Sequence, residues 1–276
     1  DKSNLKLNLK HQYYFMGGMA RSGSTLLCAI LQQNSNIYVS EQSPICDLTY
    51  KLNLLFDDNQ TYQGCPDDQK RFNVLKSLID NYYFDVSQDF IIDKFRSWGT
   101  PYNVSIIESL YTSNVKIICP VRDVVESIAS YLVLIKKNKN KKSFIDERLE
   151  KQNLEITDEN RCEEIVQGDG GIIHTLFAME HSKYKPEYYH FVEYNDLVED
   201  TFKTISKIYD FLGIVCYNHN FNYINFSSKS RDSDYYGIPN LHKVRKKITK
   251  KSIDPEDIVP FSIIKKYSGM EFWRDK

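Results

Sequence analysis

The stretch Tyr13-Tyr-Phe-Met-Gly17-Gly-Met-Ala-Arg21-Ser-Gly-Ser-Thr25-Leu-Leu decides how this chain is read. Gln12 to Met16 is a short apolar run suited to a buried strand. Thr25 to Gln32 carries Leu26, Leu27, Ile30 and Leu31 at helical spacing, and a glycine-containing turn joins the two. Strand, glycine turn and helix in succession open a βαβ unit. The turn has the frame G-x-x-x-x-G-x-[ST] from Gly18 to Thr25, a phosphate-loop frame with Ser24 where an ATPase or kinase has its lysine. That lysine neutralises the outer phosphates of a magnesium-bound triphosphate. Here Arg21 is the fixed cation of the loop. Backbone N–H groups, the following helix N-terminus and the hydroxyls of Ser24 and Thr25 supply the remaining donors. Such a cradle suits a terminal phosphate or phosphosulfate better than a triphosphate.

A second unit follows the same grammar. Val115 to Val121 is a mostly apolar run of the kind buried in a parallel sheet, and a helix with Val124, Val125, Ile128, Tyr131, Leu132 and Ile135 on one face comes next. Asp123 with Glu126 three residues later reads as a capping box. Arg122 stands at the strand end and Ser130 two helical turns on, where fork and hydroxyl can converge on one phosphate. No carboxylate ends this strand, so an acid of the kind that holds magnesium in an NTPase is not evident. Asp89 to Asp93 and Tyr189 to Glu193 read as two further strands, and Leu197 to Leu212 as a helix stopped by Gly213. Strands alternating with helices predict a three-layer α/β/α fold with a central parallel sheet and P-loop NTPase-like topology. Lys136 to Gly171 and Asn222 to Lys251 fit poorly and are read as excursions near the strand ends, where such folds bind ligands.

Composition narrows the function. The chain has 276 residues, with 36 basic and 37 acidic side chains, so it has no overall charge with which to hold nucleic acid. Its positive charge is uneven: Lys136 to Lys142 and Lys243 to Lys251 are basic runs, read first as solvated surface. The six cysteines show no metal-ligand spacing and no CxxC, and no His/Cys/Asp cluster calls for a metal. Without a run of 18 apolar residues or a signal-peptide pattern, the sequence, which does not begin with Met, is expected to be cytoplasmic with free thiols.

With these motifs in order, the sequence resembles the sulfotransferase superfamily, whose donor is 3′-phosphoadenosine 5′-phosphosulfate (PAPS). It is most similar to the bacterial and viral branch and, distantly, to the tyrosylprotein sulfotransferases. Arg21-Ser-Gly-Ser-Thr-Leu-Leu looks like the family's 5′-phosphosulfate loop, and Arg122-Asp-Val-Val-Glu-Ser-Ile-Ala-Ser130 like its 3′-phosphate motif. Phe191-Val-Glu-Tyr194 resembles the segment carrying an adenine-side tyrosine. Asp93-Lys94-Phe-Arg96 resembles the one with a lysine near the transferred sulfonate, and His242-Lys243-Val the late loop that closes over the nucleotide.

The resemblance implies one sulfotransferase-like domain over 1–276, with 136–171 as an acceptor-side insertion or lid. It implies in-line sulfonate transfer from PAPS to a hydroxyl or amine, without metal. Arg21, Ser22, Gly23, Ser24, Thr25, Arg122, Ser130, Tyr194 and Lys243 would hold the donor, and Lys94 and Arg21 would stabilise the transferring group. The family's base aligns with Gln42, one residue after Glu41. Glu41 is therefore the leading base, with His174, His181 and His242 as further candidates. The acceptor stays open among carbohydrate, peptide tyrosine, lipid and small metabolite. A P-loop kinase or NTPase, and a catalytically inactive nucleotide-binding module, are the rival readings.

Overall fold

A computed structural model describes residues 9–138, 141–250 and 253–274. Positions 139, 140 and 251 of the two basic runs lie outside the described residues. Five strands, β1 (Gln12–Met16), β2 (Ile37–Val39), β3 (Phe90–Lys94), β4 (Ile117–Val121) and β5 (Tyr189–Glu193), form one sheet in the order β2-β3-β1-β4-β5. Every pairing is parallel. Helices cover both faces, as the parallel sheet requires. Strand alternation sends Tyr13, Phe15, Ile91, Ile117 and Cys119 into one core, and Tyr14, Met16, Ile92, Ile118 and Val192 into the other. The predicted α/β class is the observed one. All six cysteines are free.

The chain runs outward from β1 to one side and returns to build β4 and β5 on the other. The strand order therefore reverses between β1 and β4, which opens a crevice beyond their C-terminal ends. Two turns carry functional candidates into it. The first joins β1 to α1 (Ser24–Leu31), and the second joins β4 to α4 (Val124–Lys137), with α2 (Ile45–Asp58) and α3 (Asp68–Tyr82) between them in sequence. The first turn is pinned to β4: Gly17 N–H donates to the Ile118 carbonyl (2.9 Å) and Met19 N–H to that of Pro120 (2.8 Å). Gly18 sits at φ +88°, and a Cβ there would lie 2.4 Å from the Pro120 carbonyl oxygen, so only glycine lets the loop come this close.

The structure differs from expectation in four places. β2 has only three residues and went unread. The third strand is shifted by one residue, Phe90–Lys94 rather than Asp89 to Asp93, which puts Lys94 at the strand end. The expected helix Leu197 to Leu212 is two, Tyr194–Glu199 and α8 (Thr201–Leu212), broken where the Asp200 side chain caps the second by accepting from Lys203 N–H. The capping box at α4 is half formed: Asp123 accepts from Glu126 N–H (3.0 Å), but the Glu126 carboxylate is drawn to Arg122. The polar segment 136–171 is largely helical, with α5 (Phe144–Lys151) and α6 (Asp158–Gln167), and α7 (Ile172–Glu180) follows it.

Candidate functional site

The crevice is a cleft of about 1220 Å³. Its floor is the turn after β1, with Arg21, Gly23, Ser24 and Thr25. The ends of β3 and β4 add Lys94 and Arg122, α4 adds Ser130, and the late loop adds His242 and Lys243. The residues predicted to bind the two ends of a nucleotide thus share one wall. Arg21 links them directly: its Nε donates to Ser130 Oγ (3.2 Å), and its Nη1 donates to the Leu241 carbonyl (2.5 Å). Arg21 holds φ +61°, a conformation that side chains other than glycine rarely adopt and that recurs at ligand-binding turns. Burial lowers its pKa, and the nearby Arg122 adds to that pull. Buried Ser22 spends its hydroxyl on the Met19 carbonyl (2.6 Å), so it shapes the loop, leaving the facing hydroxyls to Ser24 and Thr25.

Arg122 is held before any ligand arrives. Its side chain is 6% exposed, its Nε donates to Glu126 Oε2 (2.8 Å), and its guanidinium lies 4.4 Å from the centre of the Tyr194 ring. Tyr194 also packs on the phosphate loop, where a Cβ on Gly23 would come within 2.8 Å of its ring. One tyrosine therefore packs against both Arg122 and the loop after β1, a contact that the adenine-side reading did not foresee. Nε is spent on Glu126 and Nη1 makes a long hydrogen bond to the Arg21 carbonyl (3.5 Å), so Nη2 is the part of the fork best placed to meet an anion in the cleft.

The base candidates separate. The cleft wall takes in Gln42 and Ser43 but not Glu41. The Glu41 carboxylate accepts from Ser228 Oγ and from Lys229 N–H (3.0 Å), while Gln42 Oε1 accepts from Tyr236 Oη (3.2 Å). His181 stands away from the cleft wall among the rings of Tyr184 and Tyr189, whereas His174 lines the cleft. His242 is the best-oriented imidazole. Its Nδ1 meets Asp232 Oδ1 at 2.6 Å, and its backbone N–H donates to Asp232 Oδ2 (2.8 Å). Burial lowers the His242 pKa below its ordinary 6.5, the Asp232 carboxylate opposes this, and the charges of Lys94 and Arg21 reinforce it. Asp232 is itself held below the ordinary carboxylate range by these hydrogen bonds, against burial, which raises it. Asp232 was missed from sequence because it stands ten positions before His242 in a polar, Tyr-containing stretch and no short motif marks the pair.

Elsewhere on the cleft wall, Arg96 donates to the Gly170 carbonyl (3.0 Å) and Arg148 to that of Asp169 (2.7 Å), tying the loop before α7 to the cleft rim. Among the described residues, no group of three or more His, Cys, Asp or Glu could hold a metal ion, and no helix is long and apolar enough to cross a membrane.

Comparisons with known proteins agree with this architecture. The chain is similar in fold to the sulfotransferase domain from the curacin biosynthetic pathway, with 14% identity over 95% of this chain and 92% of that one and a TM-score of 0.50. It is likewise similar to the sulfotransferase domain from the Synechococcus PCC 7002 olefin synthase, with 22% identity over 91% and 88% and a TM-score of 0.50. No curated protein sequence matches the chain. Residues 14–218, which run from β1 through the turns after β1 and β4 to just past α8, match the sulfotransferase family, and the chain belongs to that family.

Proposed function

We propose that this protein moves a sulfonate group from PAPS to a hydroxyl or amine acceptor by in-line transfer. One observation carries the reading of the donor: Arg21 of the 5′-type loop and Ser130 of the 3′-type motif are hydrogen-bonded to each other in one cleft. Two anion sites so joined fit a nucleotide with phosphate groups at both ends of its ribose. A triphosphate has no use for the second site, and Ser24 stands where a kinase needs its lysine.

In this reading the backbone N–H groups of the loop, Ser24, Thr25 and Arg21 hold the 5′-phosphosulfate. Arg122 and Ser130 hold the 3′-phosphate, and Lys243 covers the nucleotide. Lys94 stabilises charge on the bridging oxygen as the S–O bond to the leaving phosphate breaks. His242, kept neutral near pH 7 by burial and oriented by Asp232, takes the acceptor proton as the new bond to sulfur forms. Glu41 is the alternative base, and its oxygens would first have to leave Ser228 and Lys229. The helices of 136–171 line the far side of the cleft and serve as the acceptor wall.

The pH profile tests the proton path. A base must be deprotonated, so transfer falls as pH drops through the His242 pKa, which lies below 6.5. Asp232 raises that pKa, so Asp232→Asn is expected to move the acid limb to lower pH while slowing transfer at neutral pH. Release of sulfate from radiolabelled PAPS, with water as acceptor, gives the profile. An acid limb that Asp232→Asn leaves in place, but Glu41→Gln removes, would give the role to Glu41.

A further inference from the structure

Asp93 is a carboxylate with 0% of its surface exposed, one residue before Lys94 on β3. Among the described residues no lysine or arginine is in ion-pair contact with it. Its partners are neutral donors: Trp98 Nε1 at 2.6 Å from Oδ1, and Tyr83 Oη at 2.5 Å from Oδ2. Burial pushes its pKa up, and hydrogen bonding from Ser43, Tyr83 and Trp98 works against that rise. Burying a carboxylate without a cation costs several kcal/mol in principle, and an apolar side chain of similar size would fill the space without that cost. Packing alone therefore does not explain it. Phe15 already packs on Trp98 there, with ring centres 4.7 Å apart.

The elements that Asp93 joins do explain it. Tyr83 caps α3, Trp98 lies in the turn after β3, and Ser43 lies in the segment before α2. That last segment also grips Lys94. The Ser43 N–H donates to the Lys94 carbonyl (3.0 Å), and the Lys94 N–H donates to Ser40 Oγ (2.8 Å). Phe95 N–H, one residue on, donates to the Met16 carbonyl (3.0 Å), just before the phosphate loop. Asp93 therefore closes a ring of contacts around the backbone of Lys94. Gln42 and Ser43, from the same segment, face the cleft beside it.

We propose that Asp93 is a positioning residue that fixes Lys94 against the phosphate loop for sulfuryl transfer. The proposal rests on the role of Lys94 given above. Asp93→Asn keeps the shape but replaces one of the two accepting oxygens with an amide donor, so it cannot accept from both Tyr83 and Trp98. It is expected to slow single-turnover release of sulfate from PAPS by about thirtyfold, in line with the ~10²-fold cost of a 1 Å misplacement. Binding of adenosine 3′,5′-bisphosphate should stay within about threefold, because both phosphate sites are intact. The decisive reading is a double-mutant cycle: in a Lys94→Ala background, Asp93→Asn should cost less than about twofold, since the residue it positions is gone. Tyr83→Phe removes one donor to the carboxylate and gives a milder form of the same cycle should Asp93→Asn fail to fold. Equal rate losses in the two backgrounds, or bisphosphate binding that weakens as much as the rate, would overturn the proposal. Failure of the unaltered protein to bind the bisphosphate or to release sulfate would instead bring down the sulfuryl-transfer reading on which it stands.

Discussion

Arg122→Ala is expected to weaken binding of adenosine 3′,5′-bisphosphate by about a hundredfold. The expectation follows from how the side chain is held. Arg122 is almost fully buried, its Nε is bonded to Glu126, and its guanidinium lies over Tyr194. The fork therefore loses little freedom when it meets a phosphate. Removing one partner of a buried charged pair costs 2–5 kcal/mol as a rule, and about 2.8 kcal/mol corresponds to the hundredfold. Truncation also strands Glu126, whose carboxylate would then face the incoming phosphate unopposed. Calorimetric titration of the variant reads the effect. An unchanged Kd would show that the 3′-phosphate does not sit at Arg122.

Lys94→Ala is expected to lower turnover of PAPS by about 10²–10³-fold, the usual cost of deleting one preorganised donor to a developing charge. Its effect on donor affinity should be within a few-fold. Lys94 lies at the end of β3, 8% exposed, paired with Met16 just before the turn after β1, and lines the cleft. Its charge matters most when the leaving oxygen gains charge, so it acts on the transition state more than on the ground state. Rate and binding of the bisphosphate measured on the same preparation separate the two. Equal losses in both would make Lys94 a binding residue.

Much of this could be read from the sequence because the parts proposed to bind phosphate are local. Gly18, Gly23 and Arg21 sit in one turn whose flanking runs declare strand and helix, and Arg122 with Ser130 repeats that pattern at the next unit. What escaped is long-range. β2 has three residues, too few for a period-two signal to emerge. The break at Asp200 is a cap inside an apolar pattern that runs on across it. Glu126 looked like a cap residue, but its charge is claimed by Arg122, an ion pair that satisfies a buried guanidinium. The alignment that favoured Glu41 could not show that Ser228 and Lys229, nearly 190 residues away, would occupy it. The pairing of His242 with Asp232 likewise depends on how the late loop folds back on itself, to which residue spacing is blind.

In the proposed function, one cleft holds a nucleotide by phosphate groups at both ends of its ribose. Calorimetric titration of the protein with adenosine 3′,5′-bisphosphate, and separately with ATP and magnesium, tests it most directly. Saturable one-to-one binding of the bisphosphate without magnesium is expected, with at least tenfold weaker binding of ATP, the factor that about 1.4 kcal/mol of second-site contact supplies. Tight magnesium-dependent binding of ATP, with no heat from the bisphosphate, would contradict it.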